Sequence, residues 1–184
     1  MLLDHETSQL LIIDVQEKLA PAMHDGAAVV RQCEKVVAAA SLLYVPVTVS
    51  EHVPQKMGAT VESLRIATGV RSVRFPKTSF SCWRDEALRQ RIEMLALEGR
   101  RQIILCGMES HVCVLQTAID LNDAGFDVFI LADAVASRAA HSKDIALQRM
   151  QTAGITMATF EMMAFEWLGD AGHEHFKPMF ALIR

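Results

Sequence analysis

Short apolar runs of the kind that form buried strands alternate along this chain with amphipathic helical stretches, and each pair is joined by a short polar or glycine-bearing connection. That alternation commits the chain to a sheet of parallel strands covered by helices on both faces. Strands are predicted over residues 9–14, 46–50, 70–75, 102–106, 127–131 and 155–158, and helices over 27–44, 85–98, 112–124 and 142–153. The helix over 85–98 carries Leu88, Ile92, Leu95 and Ala96 on one face and ends at Gly99, while Gly125 and Gly154 end the two that follow. From residue 160 onward the tail reads as helical, with Pro178 marking a break or a fresh first turn. Residues 51–69 are the least regular, and a long loop there is expected to act as a substrate lid. The expected class is α/β, a three-layer α/β/α arrangement around a central, mostly parallel, roughly six-stranded sheet.

With 184 residues, 51% of them hydrophobic and 22% charged, residues 1–184 suit one domain that buries most of its surface. Disordered and fibrous classes are excluded by that composition. Cys33, Cys82, Cys106 and Cys113 show no CxxC spacing, so they read as free thiols of a reducing, cytoplasmic compartment. Asp4, His5 and Glu6 interrupt any leader-like start, so the mature chain is expected to begin near Met1. The longest apolar run, 36–49, is too short to span a bilayer and is split by Ser41 and Pro46, so no membrane partner is expected. A net charge of −4 argues against nucleic acid as a partner. Between Arg65 and Arg101, however, nine basic residues face four acidic ones. A solvated face explains that excess; the functional alternative has Arg74 and Arg84, either side of Lys77, steering an anionic substrate.

Ligands of open α/β sheets bind at the carboxyl ends of the strands. Asp14 ends the first strand, Lys77 follows a later one, and Cys113 follows the strand over 102–106, within Gly107-Met108-Glu109-Ser110-His111-Val112-Cys113-Val114. Strand, tight turn and helix in that order would present the thiol at a helix N-terminus, where the dipole favours a thiolate. Asp14 could take the thiol proton and pass it to a leaving amine. Lys77 would favour both anions and could also hold the substrate. Singly, each residue has a plainer meaning: Cys113 as core, Asp14 as a turn former, Lys77 as surface. Jointly, at successive strand ends, they describe a cysteine hydrolase, and Asn at position 14 should then raise the pH needed to alkylate Cys113.

Leu11-Ile12-Ile13-Asp14-Val15-Gln16, Pro76-Lys77-Thr78-Ser79-Phe80 and the segment from Gly107 to Ala118 together resemble the isochorismatase-like cysteine hydrolases, in the family's order and over nearly the whole chain. Within that superfamily the chain is most similar to the small isochorismatase-domain-containing proteins, a likeness carried by Val15-Gln16-Glu17-Lys18, by Ala132-Asp133-Ala134-Val135-Ala136-Ser137-Arg138 and by stretches near Phe165-Glu166 and His175-Phe176-Lys177. The resemblance implies an Asp-Lys-Cys triad on Asp14, Lys77 and Cys113, a cis peptide between Met108 and Glu109, and an oxyanion hole from the backbone N–H groups of Glu109 and Cys113. It also implies a homo-oligomer, a dimer or larger. Nicotinamidases of the superfamily carry a metal-binding Asp-x-His, but here the segment reads Ser50-Glu51-His52-Val53, so neither metal nor other cofactor is expected. A nucleophilic cysteine favours cleavage of a C–N bond in a small amide or amide-like molecule. Gln16, Glu51, Phe80, Trp83 and His111 are candidate substrate contacts. Two other classes stand beside this one: a redox-sensing thiol protein, and a non-catalytic binding scaffold on the same fold.

Overall fold

In a computed structural model describing residues 1–69 and 72–184, the strands are β1 (Ser8–Ile13), β2 (Val47–His52), β3 (Val73–Lys77), β4 (Gln102–Met108), β5 (Asp127–Ala136) and β6 (Thr156–Ala158). They form one six-stranded sheet in the order β3-β2-β1-β4-β5-β6, and every pairing between them is parallel. The strand sequence runs outward from β1 on one side and from β4 on the other. Connections leaving β1 and β4 therefore diverge, the switch point at which open α/β sheets bind ligands beyond the carboxyl ends of their strands.

The helices are α1 (Gly26–Leu42), α2 (Pro54–Met57), α3 (Glu62–Thr68), α4 (Glu86–Leu97), α5 (Leu115–Asp123), α6 (Ala140–Thr152), α7 (Phe160–Leu168) and α8 (Phe176–Ile183). Because successive strand residues point to opposite faces, the sheet feeds two cores. Leu10, Ile12, Ile104 and Cys106 pack with Val29, Cys33 and Val36 of α1 and with Met163 and Trp167 of α7. Leu11, Ile13, Ile103 and Leu105 pack on the other face with Leu88 and Ile92 of α4, Leu121 of α5 and Met150 of α6. All of β1 and β4 is buried, which is why both read as unbroken apolar runs rather than alternating ones. Burying each such Leu or Ile contributes about 1.5–3 kcal/mol. Asp85 caps α4 by accepting from the Leu88 N–H at 3.1 Å.

Several boundaries differ from expectation for identifiable reasons. Residues 51–69 are not a loop: β2 continues through His52, Pro54 opens α2, and α3 follows. Proline at a first helical position was the available signal, but four- and seven-residue helices are too short to show a period. The strand expected over 70–75 is β3, displaced to Val73–Lys77; residues 70 and 71 lie outside the described residues. β5 runs on to Ala136, because its pairing with β4 passes from Leu105↔Ile130 to Gly107↔Val135 across an irregularity. Exposed Asp133 interrupts the apolar pattern there, its carboxylate accepting from the Phe160 N–H at 3.0 Å at the start of α7. Gly107 is required where β4 approaches β1. Its φ is 118°, and a Cβ would lie 2.0 Å from the Ile13 carbonyl oxygen.

Candidate active site

Asp14 follows β1 with φ at 53°, a left-handed conformation that turns the chain sharply as it leaves the sheet. The Gln16 N–H closes that turn on the Asp14 carbonyl at 2.9 Å. β2 separates β1 from β3, so Asp14 and Lys77, the last residue of β3, meet across the end of β2. Lys77 Nζ donates to Asp14 Oδ2 at 2.7 Å, and Ser50 Oγ of β2 donates to Asp14 Oδ1 at 2.7 Å. Neither side chain of the ion pair is exposed to solvent. Desolvation, the largest single effect, lowers the Lys77 ammonium, but Asp14, through charge and hydrogen bond, and the nearby Cys82 and Cys113 together hold the group above its usual range. The remaining donors of Lys77 Nζ go to the Ser79 and Phe80 carbonyls, both at 3.1 Å. All three ammonium donors are therefore engaged.

Cys113 lies inside a π-helical turn, Ser110–Val114, ahead of α5, and is 6% exposed. Its thiol lies within electrostatic reach of both Asp14 and Lys77. Burial first, and then the adjacent Asp14 charge, push the thiol well above its ordinary range, with Lys77 opposing only in part. Burial and the Asp14 charge both act against the thiolate expected at a helix N-terminus. Cys82, wholly buried nearby, is pushed up to about 11 by burial foremost.

The Met108–Glu109 peptide bond is cis. The Glu109 carbonyl accepts from the N–H groups of Val112 and Val114 at 3.0 and 3.2 Å, and among the described residues no backbone carbonyl accepts from the Glu109 N–H. Burial raises the Glu109 carboxyl, but hydrogen bonds from Arg138 overcome that and keep it below the usual carboxylate range. His111 Nδ1 lies 2.9 Å from Ser137 Oγ.

The other predicted contacts divide. Gln16 is a structural tie: its Nε2 donates to the His52 and Gly58 carbonyls at 3.1 and 2.6 Å, and its Oε1 accepts from the His52 N–H at 2.7 Å. Glu51 is another, since its Oε1 accepts from both the N–H and the hydroxyl of Thr60. Phe80 is 50% exposed beside the Lys77 anchor, with its ring 5.4 Å from that of His52. Burial, and then the charge of Lys77, lower the His52 imidazole, which keeps it neutral near pH 7. Trp83 is not at the site; its ring packs edge-on against Phe126, just before β5 at the opposite end of the sheet. The two steering arginines are engaged elsewhere, Arg84 with Asp120 at 2.7 Å and Arg74 with the Thr68 hydroxyl at 3.0 Å.

Ser50, Ser137 and Arg138 escaped the sequence reading. A polar residue closing the apolar run 46–50 was the signal for Ser50, while Arg138 stood in a quoted motif without a role. Among the described residues no three His, Cys, Asp or Glu side chains converge to hold a metal ion, and no helix is long and apolar enough to cross a membrane.

Comparison with known proteins adds the lineage. The isochorismatase domain model matches residues 8–162. Isochorismatase domain-containing protein 1 of Salmo salar is 36% identical over 178 residues, 97% of this chain, and the chain spans 61% of that relative's length. Isochorismatase domain-containing protein 2 of Rattus norvegicus is 36% identical over 179 residues, covering 97% of this chain and 82% of the relative. A solved Caenorhabditis elegans structure described as MAR1 ribonuclease superposes with a TM-score of 0.92 at 30% identity, over 100% of this chain and 92% of its own. The chain belongs to the isochorismatase domain family.

Proposed function

We propose that this chain is a cysteine-dependent hydrolase that cleaves a C–N bond of a small amide or amide-like molecule through Asp14, Lys77 and Cys113. One observation carries the reading: the buried Cys113 thiol lies within electrostatic reach of the Asp14 carboxylate, which Lys77 and Ser50 already hold in place at 2.7 Å each. A buried thiol beside an ionised carboxylate needs no standing thiolate, because the proton moves to Asp14 as the sulfur attacks.

In the acylation step the Cys113 S–H proton passes to Asp14 while an S–C bond forms to the amide carbon. The developing oxyanion is met by the N–H groups of Glu109 and Cys113. Asp14 then protonates the departing nitrogen, the C–N bond breaks, and an amine or ammonia leaves behind a thioester on Cys113. In the second half Asp14 takes a proton from water, the hydroxide attacks the thioester, and the acid is released with the thiol restored. Lys77 and Ser50 hold the carboxylate in place, and Phe80 with His52 forms the wall nearest the incoming substrate.

Ammonia release from a panel of small amides and ureides tests the reading, with Cys113→Ala as the control. Turnover by the wild type and its loss in a folded Cys113→Ala variant support it; a variant keeping more than a few per cent of wild-type turnover rejects the nucleophile. The description of the worm relative as a ribonuclease makes RNA the second substrate for the same assay. A net charge of −4 and a buried nucleophile favour the small amide. We place the protein in the cytosol, where its four cysteines, all free and buried, would stay reduced. We also expect it to assemble with copies of itself, with Met162 and Phe165 exposed on α7 as one apolar surface to cover.

A further inference from the structure

We infer that Arg138 is a positioning residue for the oxyanion-binding turn, aiming the Glu109 N–H by clamping the Glu109 carboxylate. The inference rests on the hydrolase reading above and deepens it. Its basis is the register of β4 and β5: Met108 pairs with Ala136, which brings the residues just past each strand, Glu109 on one side and Ser137-Arg138 on the other, alongside each other.

Three donors from Arg138 converge on one carboxylate. Its backbone N–H and its Nε reach Glu109 Oε2 at 3.1 and 3.0 Å, and its Nη2 reaches Oε1 at 2.6 Å. The carboxylate is 7% exposed, whereas the guanidinium is 66% exposed. An isolated surface ion pair contributes little, but a planar fork on a buried carboxylate imposes direction as well as attraction. The same Glu109 offers its carbonyl to the Val112 and Val114 N–H groups. With side chain and carbonyl both held, the remaining polar group of the residue, its N–H, has little freedom of direction. The neighbouring residue repeats the grip: Ser137 Oγ meets His111 Nδ1 at 2.9 Å, and the Ser137 carbonyl accepts from the His24 N–H at 3.0 Å. Two consecutive residues beyond β5 thus hold two positions of the turn that carries Cys113. The charged and titratable groups that act on Glu109 are Arg138, from the β5–α6 connection, and His111, from its own turn.

Two reactions of one sulfur separate aiming of the oxyanion site from the state of the thiol. Acyl transfer from p-nitrophenyl acetate forms an S–C bond, passes through a tetrahedral oxyanion and expels nitrophenolate, leaving S-acetyl Cys113. Alkylation by iodoacetamide displaces iodide and forms no oxyanion. In Arg138→Ala, nitrophenolate release in stopped flow is expected to slow about 10- to 100-fold, the cost of a misplaced donor. Alkylation of Cys113, followed by intact mass, is expected to keep its wild-type rate. Arg138→Lys, which restores one charged donor without the fork, should recover part of the loss, and it stands in for the alanine variant should that one fail to fold. Acyl transfer that is unchanged in Arg138→Ala overturns the inference while leaving the hydrolase reading intact. Acyl transfer and alkylation falling together also overturn it, since Arg138 would then act on the thiol or the fold. A wild type that releases nitrophenolate no faster than Cys113→Ala overturns the hydrolase reading, and this inference with it.

Discussion

Replacing Asp14 by Asn separates two effects of one carboxylate that the sequence reading had merged. In the proposed mechanism its negative charge accepts the proton of the Cys113 thiol, and the same charge opposes the thiolate that would result. At a separation of about 4 Å and an effective dielectric of about 20, two unit charges interact by about 4 kcal/mol. Relief of only a third of that, about 1.4 kcal/mol, corresponds to tenfold more thiolate at a fixed pH below the titration. Asp14→Asn is therefore expected to alkylate at Cys113 at least about tenfold faster at pH 8, the reverse of the direction expected from sequence. Hydrolysis should fall by about 10²- to 10⁴-fold, the usual contribution of a placed general base. The substitution also strands the Lys77 ammonium, whose side chain is wholly buried. An uncompensated buried charge costs about 3–5 kcal/mol. At about 2–4 °C per kcal/mol for a chain of this size, the melting temperature should drop by about 6–20 °C. Alkylation rates taken at low temperature, with circular dichroism to confirm the folded state, check both outcomes. A folded Asp14→Asn protein that alkylates no faster than the wild type would refute the reasoning, because the carboxylate charge would then not act on the sulfur.

Other substitutions probe the surroundings of the site. Ser50→Ala removes the 2.7 Å donor to Asp14 Oδ1, and the loss of a hydrogen bond to a charged group should lower the urea-unfolding free energy by about 1.5–3 kcal/mol. Gly107→Ala forces a Cβ to 2.0 Å from the Ile13 carbonyl oxygen at a φ of 118°; loss of soluble, folded protein is expected, and a wild-type melting curve would contradict the close approach. The Glu109 carboxyl titrates below its unfolded value, so its pairing with Arg138 stabilises the fold above about pH 4.3 and fades as the pH falls through the lowered folded value. With the guanidinium 66% exposed, that stabilisation is about 1 kcal/mol. The gap in urea midpoint between wild type and Arg138→Ala should be constant at neutral pH and narrow in acid.

Where a side chain's environment follows from its own neighbours in sequence, the chain could be read directly. β1 and β4 announced themselves as unbroken apolar runs because both faces are covered, and α4 through the spacing of Leu88, Ile92 and Leu95 and its end at Gly99. Asp14, Lys77 and Cys113 could be picked out because each sits at or just past a strand end, a position set by local pattern. What escaped depended on register and burial. Ser50 reaches Asp14 because β2 lies beside β1, and Arg138 reaches Glu109 because an irregularity in β5 pairs Met108 with Ala136. Neither relation is written in spacing.

Alternating apolar runs and helical periods were enough to establish a parallel α/β sheet and to bring three reactive groups to one edge of it, since both follow from periodicity and from strands ending in the same direction. The charge state of those groups was another matter. A helix N-terminus suggested a thiolate, while burial and the charge of Asp14 both push the thiol upward, because solvation and distance belong to the folded arrangement and not to any local segment. The same holds for the donors of Lys77, free in the sequence and all engaged in the fold, where the backbone carbonyls of Ser79 and Phe80 close around it.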